Sequence, residues 1–241
     1  MTEELRIPVT GGELAVTDYG GPGRTVVLVH SVGYSSDVWR RFAPLLAESS
    51  RVLAVDLRGH GQSTAQLSEV LEIAADLETL VADLDLRCPV LIGHQYGRRM
   101  ADDWLSLPRV GSEDYQLSRS VLTNPETGEW VRQPTRRTVE LLTTVDDRFP
   151  VPGRELLERI IAPVWVLQPD DGEYGDGFNE VTAMAAGRLG WATTRLPGGS
   201  FMAHTHPEVL RDGLVTLLSS LPKQQEPARH SLTDRARPTE T

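Results

Sequence analysis

Four short apolar runs limit what this chain can fold into: Thr25-Val26-Val27-Leu28-Val29, Val52-Leu53-Ala54-Val55, Pro89-Val90-Leu91-Ile92 and Val164-Trp165-Val166-Leu167. All four read as strands; the continuous run of Thr25 to Val29 suits a strand buried on both faces of a parallel sheet, and Val52 to Val55 reads as another short buried strand. Leu14 to Tyr19 alternates and reads as an early strand, Ser120 to Leu122 as a further one and Ala192 to Leu196 as the last. Helical spacing lies between them. Trp39 to Glu48 sets Trp39, Phe42, Leu45 and Leu46 on one side; Leu71 to Leu84, Arg98 to Leu107, a segment around Val181 to Arg188, and Glu208 to Leu221 read the same way. Strands alternating with helices predict an α/β fold with a mostly parallel central sheet flanked by helices.

A length of 241 residues suits one domain with a sizeable core. That domain is expected over 1–222, interrupted at about 125–161, where Pro134, Pro150 and Pro152 break the rhythm around two predicted helices. The polar segment 223–241 reads as a disordered tail. The net charge of −10 argues against nucleic acid, whose binding needs a basic surface to replace counterions. No apolar run approaches membrane-helix length, and Met1 to Ile7 lacks the basic and apolar regions of a signal peptide. A single cysteine, Cys88, excludes an internal disulfide, so a cytoplasmic location is expected. The histidines show no metal-binding spacing, and His204-x-His206 alone is not enough for one. The expected partner is a small molecule, with no metal and no cofactor. Nothing in the pattern speaks to oligomeric state.

Four stretches fall in order behind the predicted strands: His30-Ser31-Val32-Gly33; Asp56-Leu57-Arg58-Gly59-His60-Gly61-Gln62-Ser63; Gly93-His94-Gln95-Tyr96-Gly97; and Gly198-Gly199-Ser200-Phe201 followed by His206-Pro207-Glu208. Together they resemble the α/β-hydrolase family, and within it the small esterases, enol-lactonases, haloperoxidase-like proteins and epoxide hydrolases. The Asp56 to Ser63 stretch is the most specific of the four and mostly structural: glycines permit a tight turn, and a histidine inside it is expected to hydrogen-bond locally.

The resemblance implies a nucleophile on the turn at Gly93–Gly97, a histidine as its base and a carboxylate to orient the histidine. The nucleophile position holds Gln95. A carboxamide is a very poor nucleophile, although it can both donate and accept hydrogen bonds. Epoxide hydrolases and haloalkane dehalogenases often place Asp here within Gly-His-Asp-aromatic-Gly, and Gln cannot do that work either. The acid position falls on Asp171, with Asp170 as the alternative carboxylate. The histidine position falls on Ser200, leaving His204 as the nearby imidazole that could reach the site and His206 as a helix-entry residue. The oxyanion donors implied by the family are the backbone N–H groups of Val32 and Tyr96. Ser31 replaces the usual glycine and adds a hydroxyl. The resemblance also implies that the insertion at about 125–161 is a short helical cap, with Trp130 and Phe149 as its walls; Tyr34 and Trp130 are candidate substrate-binding residues, and Trp39 is expected in the core.

Three functions are compatible with this pattern. One is a non-hydrolytic, cofactor-free enzyme that binds an oxyanion and moves a proton, as C–C bond formation or cyclisation of a natural product would need. Another is a catalytically inactive ligand-binding protein. The last is an ester or lactone hydrolase with an unusual site.

Overall fold

The computed structural model describes residues 2–31, 34–66, 71–94, 164–170, 183–199 and 202–221. Its strands are β1 (Glu3–Val9), β2 (Gly12–Gly20), β3 (Thr25–Val29), β4 (Arg51–Val55), β5 (Val90–Gly93), β6 (Trp165–Pro169) and β7 (Ala192–Leu196). The helices are α1 (Ala43–Leu46), α2 (Leu71–Asp83), α3 (183–188), α4 (Met202–Thr205) and α5 (Pro207–Ser220), with a 3₁₀ turn at Ser36–Trp39. Five strands form one sheet in the order β1-β2-β4-β3-β5, and β6 pairs with β7 in a second.

The apolar runs of β3 and β4 are buried on both faces, as their composition requires. Val26, Leu28, Val52 and Ala54 join one core, with Leu46 of α1 and Leu210 and Leu214 of α5. The residues between them, Val27, Leu53 and Val55, join the other core, with Leu80 of α2. This division follows from the period of two along a strand. The first core also takes in Leu196 of β7 and Met202 and Ala203 of α4, so both sheets share it.

Three features differ from the sequence reading. The first strand, β1, was not expected: it is a sheet edge whose alternation is obscured by Glu3, Glu4, Arg6 and Pro8. The sheet is consequently mixed. β1–β2 and β2–β4 are antiparallel, and the parallel pairing expected for most of the sheet begins with β3–β4 and continues through β3–β5 and β6–β7. The predicted single helix from Trp39 to Glu48 is two pieces, the 3₁₀ turn and α1, with Pro44 in the first turn of α1. Pro lacks an amide donor and suits a helix start rather than an interior. The shared apolar side survives the break, since Trp39, Phe42 and Leu46 are all at most 2% exposed. The predicted strand at Ser120 to Leu122, the helix at Arg98 to Leu107, the cap and the tail lie outside the described residues.

Candidate active site

The loop leaving β3 begins with His30, whose ring is buried. Leu57 N–H donates to His30 Nε2 at 3.0 Å, and the other ring nitrogen, Nδ1, lies 2.7 Å from Ser31 O. Nε2 faces a donor and must accept, so the proton sits on Nδ1 and is given to the carbonyl. The same carbonyl accepts from Tyr34 N–H at 3.2 Å, closing a turn. The far end of the loop is held separately. Ser36 N–H donates to Asp56 Oδ1 at 2.6 Å, and Ser35 Oγ accepts from Asp37 N–H at the start of the 3₁₀ turn.

Asp56 thus serves two loops, for its other oxygen accepts from Gln62 N–H at 2.7 Å. Gly61 has φ +51°, and a Cβ there would overlap the Asp56 carboxylate. A larger residue cannot both adopt that backbone and leave the carboxylate in place. Ser63 ties the end of this turn to β2, donating to Asp56 O at 2.6 Å and accepting from Ala15 N–H at 2.9 Å. His60 bonds locally, as expected, with Nδ1 2.9 Å from Arg58 O. The His30 and His60 rings stand 5.1 Å apart. Burial drives both toward the neutral form, His30 to about 4 and His60 to about 3.

Beyond the loop, Tyr34 and Trp39 are buried in the first core, Trp39 as expected. The His94 ring meets both edge-on, with ring centroids 6.3 Å from Tyr34 and 6.0 Å from Trp39. His94 directly follows β5, where its N–H donates to Val29 O at 3.0 Å.

α4 packs against the 3₁₀ turn and carries His204. His204 is 8% exposed, and its Nδ1 is buried without a hydrogen-bond partner among the described residues. Burial lowers its pKa, and the nearby charges of Arg40 and Arg41 act in the same direction. Trp39 Nε1 is likewise buried and unpartnered. His206 is the N-cap of α5, directly before Pro207, as its sequence position suggested.

Asp170, at the end of β6, accepts from Gly198 N–H at 2.9 Å and so braces the loop between β7 and α4. Gly198 has φ +127°, with the His206 ring close enough to crowd any Cβ.

Ser31, Tyr34 and His204 are therefore the predicted site residues that the structure describes. Val32, Gln95, Tyr96, Trp130, Phe149, Asp171 and Ser200 lie outside the described residues. The sequence reading did not single out His30 or Asp56 as parts of the site's frame. A lone histidine at the exit of a wholly apolar strand was the available signal for the first. Among the described residues no group of three His, Cys, Asp or Glu is placed to hold a metal, and no helix is long and apolar enough to cross a membrane.

The sequence profile of the alpha/beta hydrolase family matches residues 26–222, and the chain belongs to that family. It is 35% identical over 108 residues to a Synechocystis protein named as a non-heme chloroperoxidase, covering 44% of this chain and 38% of that protein. It is 29% identical over 98 residues to a haloalkane dehalogenase of Mesorhizobium japonicum, covering 40% of this chain and 32% of that one. The matches thus span about a third of the curated relatives' length. Among solved structures, E-2-(acetamidomethylene)succinate hydrolase superposes with a TM-score of 0.68 at 15% identity, over 91% of this chain and 100% of that one. This likeness shows the α/β-hydrolase fold.

Proposed function

We propose that the chain is a non-hydrolytic, cofactor-free enzyme that holds a carbonyl, enolate or phenolate oxygen of a small organic substrate and moves a proton, as in cyclisation or C–C bond formation. The observation that carries this reading is His204, a buried imidazole held toward its neutral form, with one ring nitrogen that nothing among the described residues satisfies. Leaving a buried polar atom unsatisfied costs about 1–3 kcal/mol, which a hydrogen-bonding substrate removes. Trp39 Nε1, a donor only, is in the same condition on the element that α4 packs against. A neutral imidazole and a fixed donor suit proton abstraction beside a developing oxyanion.

In this mechanism His204 takes a proton from an acidic C–H or O–H of the substrate. The electron pair left behind forms the new bond, with charge passing through the held oxygen. The imidazolium then returns the proton to the product. Gln95 orients the substrate, backbone N–H groups of Val32 and Tyr96 hold the oxygen beside Ser31, and Tyr34 and Trp130 line the pocket. Asp171 supports the proton's movement, and Ser200 occupies the position the family gives to histidine. No bond to the protein forms, consistent with an amide at residue 95.

The test is a turnover screen of enolisable and phenolic substrates with wild type, His204→Gln and Gln95→Ala. Loss of His204 is expected to lower kcat by about 10²–10⁴-fold, the usual worth of a positioned acid–base group. Wild-type activity is expected to fall in acid as His204 protonates. Tight binding with no conversion would make the protein a ligand-binding pseudo-hydrolase.

A second reading, hydrolysis at an unusual site, is favoured by the names of the relatives, a haloalkane dehalogenase among them. Ester cleavage or halide release by wild type, lost in Gln95→Ala, would select it.

A further inference from the structure

We propose that His30 is a positioning residue: a single imidazole, in its Nδ1-protonated tautomer, ties the loop leaving β3 to the Asp56–Ser63 turn and so sets the backbone that the substrate oxygen meets. The inference rests on the proposed function only in that this loop receives the oxygen.

The loop is pinned at two points, and both lead to the same turn. Its start is held through His30 Nε2 to Leu57 N–H at 3.0 Å, and its end through Ser36 N–H to Asp56 at 2.6 Å. The two anchors are consecutive residues, one a backbone N–H and the other a carboxylate that Gln62 N–H also holds, so both ends of the loop are referred to one short stretch of the turn. His30 also shapes the loop from within, because Nδ1 and Tyr34 N–H converge on Ser31 O. Only one protonation state makes both His30 bonds. The other neutral tautomer sets a bare nitrogen against the Ser31 carbonyl and a donor against Leu57 N–H, and the imidazolium also points a donor at that N–H.

The surroundings favour the neutral ring. His60 lies 5.1 Å away, and a charge on His94 of β5 would repel one on His30. The Asp56 carboxylate is already engaged by Ser36 and Gln62 N–H groups, and the Arg58 guanidinium is matched by Asp76 and Glu72 of α2.

The deciding measurement on wild type is a long-range ¹⁵N–¹H correlation of the histidine rings from pH 8 to 5. Nδ1 is expected to carry the proton and Nε2 none throughout; the opposite tautomer, or protonation near pH 6.5, overturns the proposal. His30→Asn and His30→Gln separate the two ties. An Asn amide nitrogen reaches toward Ser31 O, while a Gln oxygen reaches toward Leu57 N–H. His30→Gln should therefore retain slow amide exchange at Leu57 and lose it at Tyr34, with the reverse in His30→Asn. Unchanged exchange at Tyr34 and Ser36 in both variants overturns the positioning role.

With a substrate from the screen, kcat should fall about 100-fold in the variants, the penalty of misplacement on the scale of 1 Å, with KM within about threefold. A lowered Tm with kcat per folded molecule unchanged would mean a purely structural histidine. If wild type converts nothing, the proposed function fails by itself, and amide exchange still decides for or against His30. If neither variant folds, the wild-type tautomer decides.

Discussion

Arg58 and Asp76 face each other through two hydrogen bonds, Nε to Oδ2 and Nη2 to Oδ1, each 2.7 Å long, with both side chains buried. The guanidinium's remaining donors reach Gln66 O at 3.0 Å and Thr10 O at 3.3 Å, and Glu72 adds a second carboxylate at 3.1 Å. The turn that holds the site's loop is thereby bolted to α2 and to the β1–β2 hairpin. Asp76→Ala leaves a buried guanidinium without its main partner and should cost about 3–5 kcal/mol. Arg58→Lys should also destabilise, because an ammonium cannot make the paired bonds. Urea unfolding of both variants measures this, and an Asp76→Ala change under about 1 kcal/mol would contradict the buried-pair account.

Gly61→Ala and Gly11→Ala form a matched pair. Both positions have positive φ, +51° and +82°. At Gly11 an added Cβ meets nothing within 4 Å, whereas at Gly61 it overlaps Asp56. Gly11→Ala should cost only backbone strain, about 1 kcal/mol. Gly61→Ala should cost more and also release the Ser36 tie, seen as faster amide exchange at Ser36. Equal losses would mean that the crowding at Asp56 relaxes freely.

Acid should weaken the fold through His30 and His60. Both rings are held below the ordinary value of 6.5, at about 4 and about 3. Below pH 6.5 the unfolded chain binds these protons and the folded one does not, so stability falls as pH drops. Their contribution is intact above 6.5, and the loss is complete only below the folded values. His30 alone accounts for about 3 kcal/mol across that window. Denaturant melts between pH 7 and 4 should show a shallower slope in His30→Gln than in wild type. Identical slopes would exclude His30 as the titrating group.

Asp170 is expected to matter to activity more than to stability. Its carboxylate holds Gly198 N–H at 2.9 Å, and four residues beyond Gly198 the chain enters α4, which carries His204. Asp170→Asn keeps an accepting oxygen and should be mild. Asp170→Ala should lower turnover about tenfold through loss of loop placement, with a Tm change of a few degrees at most. Thermal melts alongside steady-state kinetics test this, and an equal effect of the two substitutions would count against the hydrogen bond.

The sequence displayed the sheet centre and concealed its edge for one physical reason. β3 and β4 are buried on both faces and have no choice of composition, whereas β1 is half-solvated and carries Glu3, Glu4, Arg6 and Pro8. The helical spacing from Trp39 was read correctly as a buried side, but spacing does not register a backbone break that preserves that side. In the site, the Asp56–Ser63 stretch was recognisable as a turn. Its ties were not, because His30 meets Leu57 across 27 residues and Ser36 meets Asp56 across 20. Local pattern says nothing about which atoms converge over such separations. The amide at residue 95 stood out in the sequence only through the resemblance to the family's turn, whereas the unsatisfied nitrogen of His204 became visible only through packing.

The bonds that brace the Asp56–Ser63 turn join residues from Arg6 to Asp76: Arg6 to Gln62, Ala15 to Ser63, His30 to Leu57, Ser36 to Asp56 and Arg58 to Asp76. All of their partners precede residue 95 in the chain. During synthesis, therefore, the scaffold of the loop leaving β3 can close while the segment bearing Gln95 is still inside the ribosomal tunnel. Residue 95 is then added to a frame already assembled, and its identity can change without altering the order in which the N-terminal half is built.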